Sequence, residues 1–151
     1  VLFRSFNWKK IIMRDKVEGK RFVPLTNYVS QLLSTLPRNN EWVFYSPTSQ
    51  QGKLTLPRKQ HVEACNKAGI EGLTLQGLRR SFGSLSEWID SPVGVVAQIM
   101  GHKASAIAEK HYRVRPMELL RIHHQRIEDW MLENAKMSFT SSSSHLSLVS
   151  S

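Results

Sequence analysis

The sequence has very little cysteine: Cys65 is the single one among 151 residues. One cysteine excludes an internal disulfide and a zinc site built from several cysteines. No apolar run is long enough to cross a bilayer, and residues 1–5 lack the long apolar stretch of a secretory signal. These absences predict a protein of a reducing, intracellular compartment such as the cytoplasm.

Acidic residues are also few. Twelve Asp and Glu stand against 21 Lys and Arg, so the formal net charge is +9. An excess of this kind is typical of proteins that bind polyanions. The charge favours nucleic acid as the partner and leaves a ribosomal role or an anionic membrane surface as alternatives. A hydrophobic fraction of 40% and an aromatic fraction of 9% predict a globular chain rather than a disordered one.

The two ends of the chain differ from its middle. The first residue is Val1 rather than Met, and strand-like sequence follows almost at once, which predicts that residues 1–137 are part of a longer domain. Residues 138–151 contain eight serines and no charged residue. That composition is typical of a disordered tail that does not pack on the domain.

A β-hairpin is predicted near the start of the chain. Residues 9–14 have an apolar, partly β-branched centre, residues 15–19 supply a turn, and residues 21–24 form a second strand that Pro24 ends. Lys16 and Lys20 make the tip of this hairpin basic. A third strand is predicted at 42–45.

The remaining sequence has mainly helical periodicity. Thr26 and Thr74 are predicted helix N-caps, Gly101 is a predicted helix end, and Pro116 begins a last amphipathic helix. The helix after Thr26 is expected to bury one face, formed by Val29, Leu32, Leu33 and Leu36. The predicted fold class is α+β, mainly α, with a small antiparallel β-sheet near the N-terminus.

Polar residues suited to phosphate binding lie on the helix that follows Thr74. Gln76 and Arg79 are three residues apart and are therefore neighbours on one face, and Arg80 also lies off the apolar stripe. A guanidinium can bind two oxygens of one phosphate, and an amide can donate one further hydrogen bond. By spacing alone, an exposed arginine on an ordinary helix is the more common interpretation.

Two further candidates lie downstream. His102 directly follows the helix end at Gly101, where the chain changes direction. Tyr112 lies between His111 and Arg113, away from any apolar stripe. A phenol with an ordinary pKa near 10 needs nearby positive charge to act as a nucleophile. Taken singly, each of these residues fits an ordinary surface position.

The order and spacing of these residues carry more information than any one of them. The run Gln76-Gly77-Leu78-Arg79-Arg80, then Gly101-His102, then Tyr112 ten positions after His102, resembles the tyrosine recombinase (phage integrase) family. The family has His-x-x-Arg at the start of a helix, Gly-His after the next helix and then the tyrosine. The resemblance reaches back to Lys16 in the hairpin, covers about residues 11–130, and is greatest to integrases of prophages and genomic islands.

This resemblance implies a function and a fold. It implies the helical catalytic domain of tyrosine recombinases, which cut and rejoin double-stranded DNA through a covalent 3′-phosphotyrosyl intermediate. Tyr112 matches the nucleophile, Arg79 the second arginine of the phosphate clamp and His102 the histidine that donates or carries a proton. Lys16 matches the acid that protonates the leaving 5′-oxygen, and Gln76 matches a further phosphate ligand.

The resemblance also implies partners. It implies DNA contacts from the cations around these positions, which are Lys20, Arg80, Lys103 and Arg113. It implies no metal, no ATP or other small-molecule cofactor, and no membrane partner. It also implies association with the nucleoid when bound, and a homo-tetramer assembled on DNA, with Trp130 and Met131 as candidates for the contact between subunits.

Two departures from the family pattern keep other functions open. Gln76 stands where the family most often has His or Lys, and an amide cannot shuttle a proton. The family's first clamp arginine and its DNA-grasping domain both lie upstream of the hairpin, where this chain has almost no sequence. The alternatives are a catalytically incomplete integrase remnant or a DNA-binding protein without cleavage, a type IB topoisomerase, and a basic ribosomal protein.

Overall fold

The structure is a computed structural model that describes residues 6–7, 10–15, 19–102 and 115–139, with side chains described from Phe22 onward. Three short strands form an antiparallel sheet in the order β1-β2-β3. They are β1 (Phe6–Asn7), β2 (Lys10–Asp15) and β3 (Gly19–Pro24). The β2–β3 pairing runs from Lys10 opposite Pro24 to Asp15 opposite Gly19. Pro24 ends β3, as predicted, because proline has no N–H to donate to a ladder.

Five α-helices follow within the described residues. They are α1 (Asn27–Ser34), α2 (Arg58–Lys67), α3 (Leu75–Glu87), α4 (Val93–Met100) and α5 (Met117–Asn134). The prediction of a mainly α fold is confirmed. Of the helices described, none has the length and apolarity that a bilayer crossing requires.

The predicted strand at 42–45 is wrong. Tyr45 forms only an isolated antiparallel bridge with Lys53, and the Leu54 N–H donates to the Phe44 carbonyl at 2.9 Å. The chain reverses between Tyr45 and Lys53 over residues 46–52, where Gly52 has φ +64°. The pairing is limited to this bridge and its flanking hydrogen bonds, so the segment does not form a strand.

The core lies where α4 packs between α3 and α5. Val95 and Ile99 of α4 and Leu120 of α5 are buried together, and Phe82 of α3 packs against them. Thr74 caps α3 as predicted, since its Oγ1 accepts the Gly77 N–H at 2.9 Å. The core therefore fixes α3 and α4 side by side, which positions the candidate site.

The prediction that α1 buries an apolar face is wrong. No residue of α1 is buried, and Val29 and Leu32 are 38% and 48% exposed. Thr26 is the N-cap residue by position, but its side chain makes no capping hydrogen bond within the helix. The Thr26 hydroxyl instead donates to the carboxylate of Glu128 in α5.

Glu128 attaches α1 to α5 through the first turn of the helix. Its carboxylate accepts the Tyr28 N–H at 2.9 Å and the Val29 N–H at 3.2 Å, besides the Thr26 hydroxyl. Glu128 is only 8% exposed. A carboxylate at a helix N-terminus satisfies N–H groups that have no partner inside the helix and complements the helix dipole. The attachment of α1 therefore depends on one buried acid rather than on an apolar stripe.

The start of the tail is in contact with α1. The ring of Phe139 meets the ring of Tyr28 edge to face, with centroids 5.3 Å apart. Residues 140–151 lie outside the described residues, so the disordered tail stays a prediction.

His124 joins α5 to the end of the sheet and produces a testable pH dependence. Its Nδ1–H donates to the Pro24 carbonyl at 2.9 Å, and its ring meets Phe82 edge to face. Burial lowers the pKa of His124 below its ordinary 6.5, although the Pro24 hydrogen bond and the Glu128 charge act in the opposite direction. Because the folded protein binds this proton less readily than the unfolded chain, stability is complete above the ordinary pKa and falls as pH decreases below it.

We expect the urea midpoint of unfolding to fall between about pH 7 and pH 5, and to fall less steeply in His124→Gln. An equal pH dependence in the two proteins would exclude His124 as the cause.

Candidate active site

A pocket of about 560 Å³ lies between α3 and α4. Its lining includes Gln76, Arg79 and Arg80 from α3 and His102 just beyond α4. Ser84, Glu87 and Ser91 also line it, among others. The pocket therefore contains two arginines and several further hydrogen-bonding groups, with one carboxylate.

Arg79 is held in place by the end of the neighbouring helix. Its Nη2 donates to the backbone carbonyl of Met100 in the last turn of α4. The last carbonyls of a helix have no partner within the helix and carry partial negative charge, so a guanidinium is favoured there. This hydrogen bond uses one of the five N–H donors of the guanidinium, so the remaining donors can bind a ligand.

His102 is positioned by the helix end before it. Gly101 has φ 69° and ψ 35°, the left-handed conformation that favours glycine. Its N–H donates to the Gln98 carbonyl at 3.1 Å, and the His102 N–H donates to the Ala97 carbonyl at 2.8 Å. The predicted helix end at Gly101 is confirmed, and it places the exposed His102 at the rim of the pocket.

Gln76 lies in the first turn of α3, two residues after the N-cap Thr74, and its side chain is exposed. Arg80 is also exposed. Both line the same pocket as Arg79 and His102. The structure therefore brings four of the candidate residues together around one cavity.

The other candidates cannot be placed in the same way. Lys16, Lys103, Tyr112 and Arg113 lie outside the described residues. Lys20 belongs to β3, and the structure describes its backbone but not its side chain. Within the described part of the chain, no cluster of His, Cys, Asp or Glu side chains could hold a metal ion.

Sequence reasoning missed one pair of residues next to the site, Gln98 and Arg115. The Gln98 side chain binds both the N–H and the carbonyl of Arg115. Helical periodicity gives Gln98 a place in α4 but cannot identify a partner that follows it by 17 residues. No signal in the sequence could have found this contact.

Comparison with known proteins shows what the sequence of this chain is similar to. The chain is a homologue of part of a phage integrase. It is 51% identical over 138 residues to prophage integrase IntF of Escherichia coli (strain K12). The match covers 87% of this chain and 29% of IntF, so the chain spans less than a third of that relative's length. This likeness confirms the resemblance to prophage integrases.

No protein-family model matches the chain, and the comparison with solved structures also gave no match.

Proposed function

We propose that the chain provides most of the active site of a tyrosine-type integrase, which cuts and rejoins double-stranded DNA through a 3′-phosphotyrosyl intermediate. The observation that carries the proposal is the pocket between α3 and α4, which Gln76, Arg79 and His102 all line. The likeness to a prophage integrase supports it. In this proposal residues 1–137 form part of a catalytic domain and residues 138–151 form a tail.

The proposed reaction exchanges one phosphoester for another. The Oη of Tyr112 attacks the DNA phosphorus and loses its proton to His102, the proposed proton carrier, as the Oη–P bond forms. The bond from phosphorus to the 5′-oxygen breaks, and that oxygen takes a proton from Lys16, the proposed general acid. Reversal by a 5′-hydroxyl rejoins the strand, because the new bond keeps the phosphoester energy.

The pocket residues would stabilise the charge that builds on the phosphate. Arg79 is already oriented by its hydrogen bond to the Met100 carbonyl, so little reorganisation is needed when the phosphate arrives. His102 can donate from the rim of the pocket, and Gln76 can donate an amide N–H. Gln76 cannot carry a proton, so among these three pocket residues acid–base work would belong to His102.

DNA binding and assembly complete the proposal. The net charge of +9 favours a polyanion, with Lys20, Arg80, Lys103 and Arg113 as proposed phosphate contacts. Trp130 and Met131, both half-buried on α5, are proposed contacts of a homo-tetramer on DNA. The protein would act in the bacterial cytoplasm, at the nucleoid.

A covalent-trapping experiment tests this function. We expect a chimaera in which this chain replaces its homologous segment of IntF to form a denaturant-resistant adduct with a nicked suicide DNA substrate. The adduct should form without metal, in EDTA, and should leave a free 5′-hydroxyl.

Unmodified IntF is the matched control for the substrate and the conditions. If IntF forms an adduct and the chimaera binds DNA without forming one, the chain is a DNA-binding remnant that has lost cleavage.

A further inference from the structure

The backbone of Arg115 is held against α4 by the side chain of Gln98. Its N–H donates to the Oε1 of Gln98 at 3.1 Å, and its carbonyl accepts from the Nε2 of Gln98 at 3.3 Å. One glutamine side chain therefore satisfies both backbone groups of this residue. The backbone position from which the Arg115 side chain extends is therefore fixed relative to α4.

The side chain of Arg115 lies flat against the helix at Gly94. A Cβ built on Gly94 would be 2.7 Å from Nη2, 2.8 Å from Nη1 and 3.0 Å from Cζ of Arg115. Contacts that short do not occur, so the guanidinium occupies space that only glycine leaves free. Glycine is otherwise unfavourable in a helix. Gly94 and Gln98 together hold Arg115 against α4 and form what is called here the Gly94–Gln98 seat.

The seated guanidinium has no anionic partner among the described residues. The ion pair found in that part of the chain joins Arg121 to Glu118, at 2.8 Å. Arg115 is partly exposed. An arginine that is already ordered loses little conformational entropy when it binds, and its planar fork matches two oxygens of one phosphate.

We propose that Arg115, held by the Gly94–Gln98 seat, binds a backbone phosphate of duplex DNA. This inference rests on the proposed function for the identity of the ligand. Arg115 does not line the pocket that contains Arg79 and His102. Its phosphate is therefore a different one from the phosphate that is cleaved, and the contact positions the DNA rather than taking part in the reaction.

The position of Arg115 can be disturbed by a substitution that leaves the net charge of the protein unchanged. In Gly94→Ala the new methyl group displaces the end of a flexible side chain and leaves the backbone in place, so the thermal midpoint should stay the same or rise. Affinity for a labelled 20–30 base-pair duplex, measured by fluorescence anisotropy over a salt series, should fall about threefold. Arg115→Ala should lower it about fivefold and reduce the salt slope by about 0.9.

A double-mutant cycle tests whether Gly94→Ala and Arg115→Ala lower DNA affinity through the same contact. Gly94→Ala should have no effect on affinity in the Arg115→Ala background. Gln98→Ala, which releases Arg115 from its other attachment, should reproduce the effect of Gly94→Ala and tests the seat independently.

Arg121→Ala is the control, because it removes the same charge from an arginine already paired with Glu118. The proposal is overturned if Gly94→Ala and Gln98→Ala keep full affinity, or if Arg121→Ala weakens binding as much as Arg115→Ala. All affinities are measured on the IntF chimaera; if the chimaera with the unmodified chain does not bind the duplex even at low salt, the proposed function itself fails.

Discussion

Replacing Tyr112 with phenylalanine in the IntF chimaera is expected to abolish the covalent protein–DNA adduct, a loss of at least about a thousandfold in its rate of formation. Phenylalanine keeps the ring and its packing but removes the only atom that could bond to phosphorus. Noncovalent affinity for the same DNA should change by less than about twofold, because one neutral hydroxyl contributes little to binding that is dominated by phosphate contacts.

The chain provides matched controls, since it has three tyrosines. Tyr28 lies in α1 and Tyr45 bridges to Lys53, and neither lines the pocket. Tyr28→Phe and Tyr45→Phe should form the adduct at the rate of the unmodified protein. Persistence of the adduct in Tyr112→Phe would assign the nucleophile to another residue.

Replacing Arg79 with lysine is expected to lower the rate of adduct formation by about tenfold or more, equivalent to about 1.4 kcal/mol or more of transition-state stabilisation. Lysine keeps the positive charge but presents a point charge instead of a planar fork. It cannot bind two phosphate oxygens side by side while also donating to the Met100 carbonyl as Arg79 does. Single-turnover measurements with saturating protein separate this effect from DNA affinity.

Arg80→Lys is the control for this change, because Arg80 is the next residue and lies exposed at the same pocket. It should alter the single-turnover rate by less than about threefold. Equal rates for Arg79→Lys and the unmodified protein would remove Arg79 from the phosphate clamp.

The parts of the fold that depend on local signals could be predicted from the sequence. Thr74 and Gly101 fix the ends of α3 and α4 through contacts within a few residues, and both were identified. The position of α1 could not be predicted, because its first turn is capped by Glu128, about 100 residues away. An apolar repeat shows that a helix has an apolar face and does not show what covers that face.

The candidate site, like the fold, could be predicted only in part from the sequence. Gln76, Arg79 and His102 were found through their order and spacing, and the packing of α3 on α4 brings them to one pocket. The contacts that hold the arginines were not predictable. Arg79 reaches a carbonyl 21 residues away, and Gln98 holds Arg115 across 17 residues, and both depend on the geometry of α4. Sequence identifies the groups suited to the chemistry, and the fold determines how they are oriented.

The most direct test of the account is to identify the residue and the DNA end that are joined in the trapped adduct. After nuclease and protease digestion of the chimaera–DNA adduct, mass spectrometry should find the nucleotide on the peptide that contains Tyr112, linked through a 3′-phosphate. Attachment to any other residue, or linkage to a 5′-phosphate, would contradict the proposed mechanism.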